Sequence, residues 1–185
     1  MSVATKKQDV KTDNSYLADK VGLRINHLPK RGVVTVLDCF AVTGRIWRAV
    51  KRRTNREISI LAMDKRPIGF HLPGDNIAWL SGLDLDKFNV IDMDAYGIPY
   101  DQLKIIFDRK YRGIVFVTFI QSIWGRMPKG MMMEIGFTEA VLDKAPALCN
   151  HRGWEYFQEW LSKKGVQTIY HRSHARKHYL CFMPG

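Results

Sequence analysis

Apolar residues fall along this chain in short unbroken runs separated by stretches of helical spacing, the alternation expected of strands that lie between helices. Val33 to Cys39, Ile58 to Met63, Phe88 to Ile91 and Gly113 to Ile120 read as buried strands. The last of these runs is the best candidate for a central strand, because a run apolar on both sides must be covered on both faces. Helical spacing appears at Ser15 to Leu28, Gly44 to Arg53, Ile77 to Leu80, Tyr100 to Phe107, Met131 to Leu142 and Trp154 to Leu161. Ile68 to Leu72 reads as a short extended piece, closed by the turn Pro73-Gly74-Asp75-Asn76. Val166 to Tyr170 and His178 to Met183 read as two strands of a terminal hairpin, with Arg172 to Lys177 between them.

The expected fold is therefore α/β: a Rossmann-like sandwich on a mostly parallel sheet, ending in an antiparallel hairpin. One link strains that expectation. Between Asp64 and Ile68 there is no room for a crossover helix, so one edge of the sheet is expected to be reduced. Residues 1–14 are polar and lysine-bearing and read as a mobile tail, with 15–185 as a single domain.

Composition narrows the function classes. The chain has 185 residues, is 46% hydrophobic and carries a formal charge of +11. A surplus of that size attracts polyanions, nucleic acid first among them. No apolar run is long enough to span a bilayer, and the first 19 residues hold no apolar segment of the kind a secretory leader needs. Three cysteines without a repeating spacing suit free thiols in a reducing compartment, and the cytoplasm is the expected location.

The candidate chemistry is acidic. Strands end on Asp38, on Asp64 and on the pair Asp92/Asp94, and in an open α/β sheet the ligand crevice lies at those carboxyl ends. After Asp38 the chain turns through Ala41-Val42-Thr43-Gly44 into a helix whose first N–H groups can receive a polar ligand group. An ordinary strand–turn–helix connection explains this turn alone; several carboxylates at strand tips are harder to explain so. An acid at the end of the second strand suits both hydroxyls of a ribose, and Asp75-Asn76 suit an adenine amino group.

These residues together resemble class I S-adenosylmethionine-dependent methyltransferases. Asp92-Met93-Asp94-Ala95-Tyr96-Gly97-Ile98-Pro99 is similar to the Asp-Leu-Asp-Pro-Phe-Gly-Ser-Pro motif of the tRNA guanine-N2 dimethyltransferases. The resemblance covers Val33 to Thr118, and the family's C-terminal domain has no counterpart in it. It implies S-adenosylmethionine as cofactor, held by Asp38, Ala41, Gly44, Arg45, Asp64, Lys65, Asp75 and Asn76. It further implies Asp94 as the catalytic carboxylate beside Asp92, with Tyr96 and Pro99 shaping the pocket for a target base. Val42 is bulky where most methyltransferases have glycine, while Ala95 and Tyr96 depart from the motif and leave the target atom open.

A target base must be flipped out or already unpaired. Tyr96, Tyr100, Phe119 and Trp124 are candidates to stack on it, and Arg52, Arg53, Arg172, Arg176 and Lys177 to meet phosphates. RNA is expected rather than DNA. His171, His174 and His178, like Cys149 and His151, lack the closed set a metal needs, so no metal is expected. Cys39 reads as packing. Two alternatives stay open: a non-catalytic module of the same fold that binds nucleic acid or a partner subunit, and a methyltransferase for a protein or small molecule.

Overall fold

The computed structural model describes residues 15–65, 72–121 and 126–185. The expected tail at 1–14, most of the extended piece at 68–72, and Trp124 lie outside the described residues. Seven strands form one sheet: β1 (Val34–Asp38), β2 (Ile58–Asp64), β3 (Leu72–Pro73), β4 (Val90–Met93), β5 (Ile114–Ile120), β6 (Ile169–His174) and β7 (Lys177–Phe182). Their order is β3-β2-β1-β4-β5-β7-β6. The strands from β3 to β5 pair in parallel, and β7 runs antiparallel to both β5 and β6. This is the Rossmann-like methyltransferase arrangement expected from the sequence.

The apolar runs are explained by two-sided burial. Val36, Val90, Phe116 and Cys181 point to one face, where α1 (Leu17–Asn26) and α2 (Arg45–Arg53) cover them with Val21, Leu23, Trp47 and Val50. Leu37, Ile91, Val115, Val117 and Leu180 point to the other. There they meet α3 (Asn76–Gly82), α4 (Tyr100–Asp108), α5 (Lys129–Glu134) and α7 (Gly153–Lys163). The alternation is the period-2 geometry of a strand.

Two stretches differ from the expectation. The stretch read as one helix over 131–142 is two, α5 and α6 (Glu139–Lys144). Gly136 takes a left-handed φ of 112°, and the Thr138 side chain caps the second helix by accepting from the Val141 N–H. The terminal hairpin is longer and its turn tighter: only Ala175 and Arg176 join β6 to β7, with Ala175 at a φ of 50°. Its polar residues 171–174 could be strand because β6 is an edge with one rim to solvent. At the opposite edge β3 is two residues long, and residues 65–71 are fewer than a crossover helix requires.

One polar cluster sits where a core would normally be apolar. Asp92, fully buried in β4, accepts from Arg24 Nε at 2.7 Å and Arg24 Nη2 at 2.6 Å, and from Trp47 Nε1 at 2.6 Å. Burial opposes the Arg24 charge, but Asp92 outweighs it and holds the guanidinium well above its usual pKa. Removing one member of such a pair strands the other charge, at about 3–5 kcal/mol. Arg24→Met should therefore lower the thermal midpoint by roughly 10 °C. Arg24→Met/Asp92→Leu should recover part of that loss; an unchanged midpoint in the single variant would show that the pair adds nothing.

Candidate active site

The carboxyl ends of β1, β2 and β4 open into a cleft of about 360 Å³, within the range of small-molecule and cofactor sites. Asp38, Ala41, Val42, Gly44, Arg45, Asp64, Lys65, Asn76, Asp92, Asp94 and Tyr96 all line it. The turn after β1 is built for close approach. Gly44 has a left-handed φ of 65° and donates to Ala41 O at 2.6 Å. Val42 also has a positive φ, 46°, which is costly for a β-branched residue. Its N–H donates to Asp64 Oδ2 at 2.9 Å, tying the first turn to the tip of β2.

The acids differ in how they are compensated. Asp92 belongs to Arg24 and Trp47. Asp94 accepts from Lys20 at 2.8 Å through Oδ1 and 3.0 Å through Oδ2, and from the Thr118 hydroxyl. Asp38 is buried, accepts from the Phe40 N–H at 3.4 Å, and has no cation in hydrogen-bond reach among the described residues. Burial first, and the Asp92 charge second, push its pKa well above the usual carboxylate range. A buried carboxyl on the cleft floor, with no cation in hydrogen-bond reach among the described residues, suits a cationic ligand group.

Other expected site residues are placed elsewhere. Asp75 is not on the cleft wall: it caps α3 by accepting from the Ile77 N–H at 2.9 Å, and its exposed carboxylate lies 3.9 Å from Lys65. Asn76 lines the cleft, but its amide donates to Cys39 O and accepts from Gln102, which locks α3 to β1 and α4. Pro99 is buried at the start of α4 and is not among the described residues that line the cleft. Of the aromatics, Tyr96 stands at the lip with 83% of its surface exposed. Phe119 is core, and Tyr100 donates to Glu134 at 2.7 Å. Arg52 and Arg53 are exposed at the end of α2, and Arg172 and Arg176 on the hairpin, with Lys177 half-buried beside them.

Lys20 and Thr118 had no place in the sequence reading. Their signal was weak: Lys20 and Arg24 are four apart on a helix face shared with Val21 and Leu23, and Thr118 is the one hydroxyl in an apolar run. Two of the histidines meet at a serine hydroxyl and the third turns to α1. Ser173 Oγ lies 3.0 Å from His171 Nδ1 and 2.8 Å from His178 Nδ1, and His174 pairs with Asp19 at 2.8 Å. Among the described residues no three His, Cys, Asp or Glu side chains group as a metal site. Cys39 is buried, which pushes its thiol pKa well up, out of the nucleophilic range. No described helix is long and apolar enough to cross a membrane.

No protein-family profile matches the sequence, and no curated protein does. Solved structures do share the fold. A possible exported protein from Bordetella parapertussis is 9% identical, with a TM-score of 0.51 over 91% of this chain and 66% of that one. A candidate S-adenosyl-L-methionine-dependent methyltransferase from Methanococcus maripaludis is 13% identical, with a TM-score of 0.50 over 91% of this chain and 87% of that one. At these identities the likeness concerns the fold alone, the Rossmann-like arrangement that this chain shares with the Methanococcus maripaludis structure.

Two substitutions test the cleft. Val42→Gly relieves the left-handed valine at about 1–2 kcal/mol, against a glycine cost of about 0.5–1 kcal/mol in the unfolded chain. Its thermal midpoint should match or slightly exceed the wild type. If the valine only tolerates the cofactor, calorimetric affinity for S-adenosylmethionine should be equal or tighter; if it blocks the crevice, binding should appear in the variant alone. For Asp38 the sign follows from its raised pKa. The native state holds the proton more tightly than the unfolded chain, so this carboxyl costs stability as pH rises above about 3.9, up to its native pKa. Asp38→Asn should raise the midpoint at pH 7 by a few degrees and weaken S-adenosylmethionine binding at least tenfold. A variant that binds as well as wild type would remove Asp38 from the site.

Proposed function

We propose that the cleft binds S-adenosylmethionine and that the protein methylates an amine of a nucleic-acid base, with RNA as the substrate. The observation that carries this reading is the buried Asp38, with no cation in hydrogen-bond reach among the described residues, on the floor of a cleft whose second wall is Asp64 at the tip of β2. The bound cofactor would supply an electrophilic methyl group on a sulfonium. Asp38 would take its amino group and Asp64 its ribose, with Ala41, Gly44 and Arg45 close to the amino-acid end. Tyr96, exposed at the lip, would stack on an extruded base.

Asp94 would then face the target amine. Lys20 and Thr118 fix its carboxylate in one orientation, and 17% of its side chain remains exposed. A carboxylate offers about four acceptor positions, so these two partners leave room for an amine hydrogen. Its work is to align the amine's lone pair with the methyl group, the positioning that dominates an in-line transfer. The +11 charge supports a polyanionic substrate.

A second reading has its own observation. Asp92 and Asp94 are both ion-paired within the chain, to Arg24 and Lys20, as in a module that uses the fold without catalysis. Calorimetry with S-adenosylmethionine and S-adenosylhomocysteine, followed by transfer of labelled methyl to RNA, separates the two. The enzyme reading expects micromolar binding and label in RNA. It also expects Asp94→Ala to lose at least a hundredfold in transfer while keeping cofactor affinity within about threefold. Folded protein without cofactor binding would favour the non-catalytic module.

A further inference from the structure

The seam between α1 and β6 carries a row of rings with a cation in the middle. Tyr170, Arg172 and His174 alternate along β6 and so share one face of the edge strand. His174 stacks on Tyr16 with centroids 3.7 Å apart and planes within 9°. Four residues along, Tyr170 packs on His27 at 4.3 Å with a 31° tilt. At the rise of a strand the two ring pairs are about 13 Å apart. Tyr16 is 48% exposed and Tyr170 52%. What marks them out is their placement on one seam, each with one ring face held by a histidine. Arg172 stands between the pairs, exposed, with no hydrogen bond or ion pair among the described residues.

The seam leads to the cleft. Asp19 pairs with His174 at 2.8 Å, and the next residue of α1, Lys20, reaches Asp94 on the cleft wall. On the other side of the hairpin turn, Arg176 O accepts from the Gln121 N–H, directly after the cleft-lining Ile120. Arg176 and Lys177 therefore sit at the same end as the cleft mouth.

We propose that this seam is the track on which single-stranded RNA lies when one of its bases enters the cleft. Unpaired bases stack on Tyr16 and on Tyr170, and Arg172 with the hairpin cations meets the phosphates between them. Base–aromatic stacking is tolerant of sequence, and a phosphate-tracking cation makes binding fall with salt. The tyrosine hydroxyls and His27 supply partners for 2′-hydroxyl groups, the feature that separates RNA from DNA. A duplex keeps its bases stacked inside and offers nothing to these rings. The inference rests on the cleft reading for its direction, and the experiment separates the two.

Fluorescence anisotropy of the full chain with a labelled twelve-nucleotide oligouridylate is the test, beside the same length of oligothymidylate and a twelve-base-pair RNA duplex. The single-stranded RNA should bind tightest. Tyr16→Ala/Tyr170→Ala should weaken it by at least tenfold, while Tyr170→Phe, which keeps the ring, should stay within about threefold. Arg172→Gln should reduce the slope of log affinity against log salt by about 0.7, one phosphate on a single strand. S-adenosylmethionine titrations on the same variants should equal wild type, so loss of cofactor binding by wild type would count against the cleft and not the seam. Unaltered RNA affinity in the double tyrosine variant, or equal affinity for all three probes, would overturn the proposal.

Discussion

The buried ion pair between Arg24 and Asp92 governs how the rest of the molecule is arranged. A parallel sheet with a ligand crevice at its carboxyl edge gathers acids there, and four aspartates stand at or beside that edge. Asp92, without solvent contact, would be untenable alone. Its compensation comes from a helix that precedes the first strand in sequence. Arg24 forks onto both of its oxygens and bonds its own helix at Lys20 O, so α1 can dock on the sheet in one register. Trp47 closes the third acceptor position and ties α2 to the same carboxylate.

That docking also sets the electrostatics of the cleft. Once Arg24 is seated, Lys20 lies one turn away and reaches Asp94, so a single helix face balances two acids. Asp38 receives no such partner. The cleft thus combines a carboxylate pinned by Lys20 and Thr118 with one on its floor that has no cation in hydrogen-bond reach among the described residues. The same helix forms one wall of the α1–β6 seam, and its first turn links the two surfaces.

The other edge of the sheet is minimal. β3 contributes two residues, and the stretch before it is too short for a covering helix. Among the described residues only α1 and α2 cover their face, while α3, α4, α5 and α7 cover the other. The opposite edge, at the hairpin, is longer, and there β6 places polar and aromatic residues on the last strand of the sheet. Its tight Ala175-Arg176 turn brings positive charge to the end of the sheet where the cleft opens.

What the sequence alone determined is everything that depends on local periodicity. Unbroken apolar runs such as Ile114–Ile120 identified strands covered on both faces, and the acids at their ends located the cleft. The missing crossover after Asp64 foretold the reduced edge. Tertiary structure alone decided which acids are free. Asp38, Asp92 and Asp94 look alike as strand-tip aspartates, and only the distances to Arg24, Lys20 and Thr118 separate them, because compensation is made by residues 24 to 74 positions away. It also decided that Asp75 caps a helix, that Pro99 is buried, and that Ala175 turns the hairpin. Those outcomes follow from which backbone groups and neighbours remain unsatisfied after packing, a quantity no local pattern records.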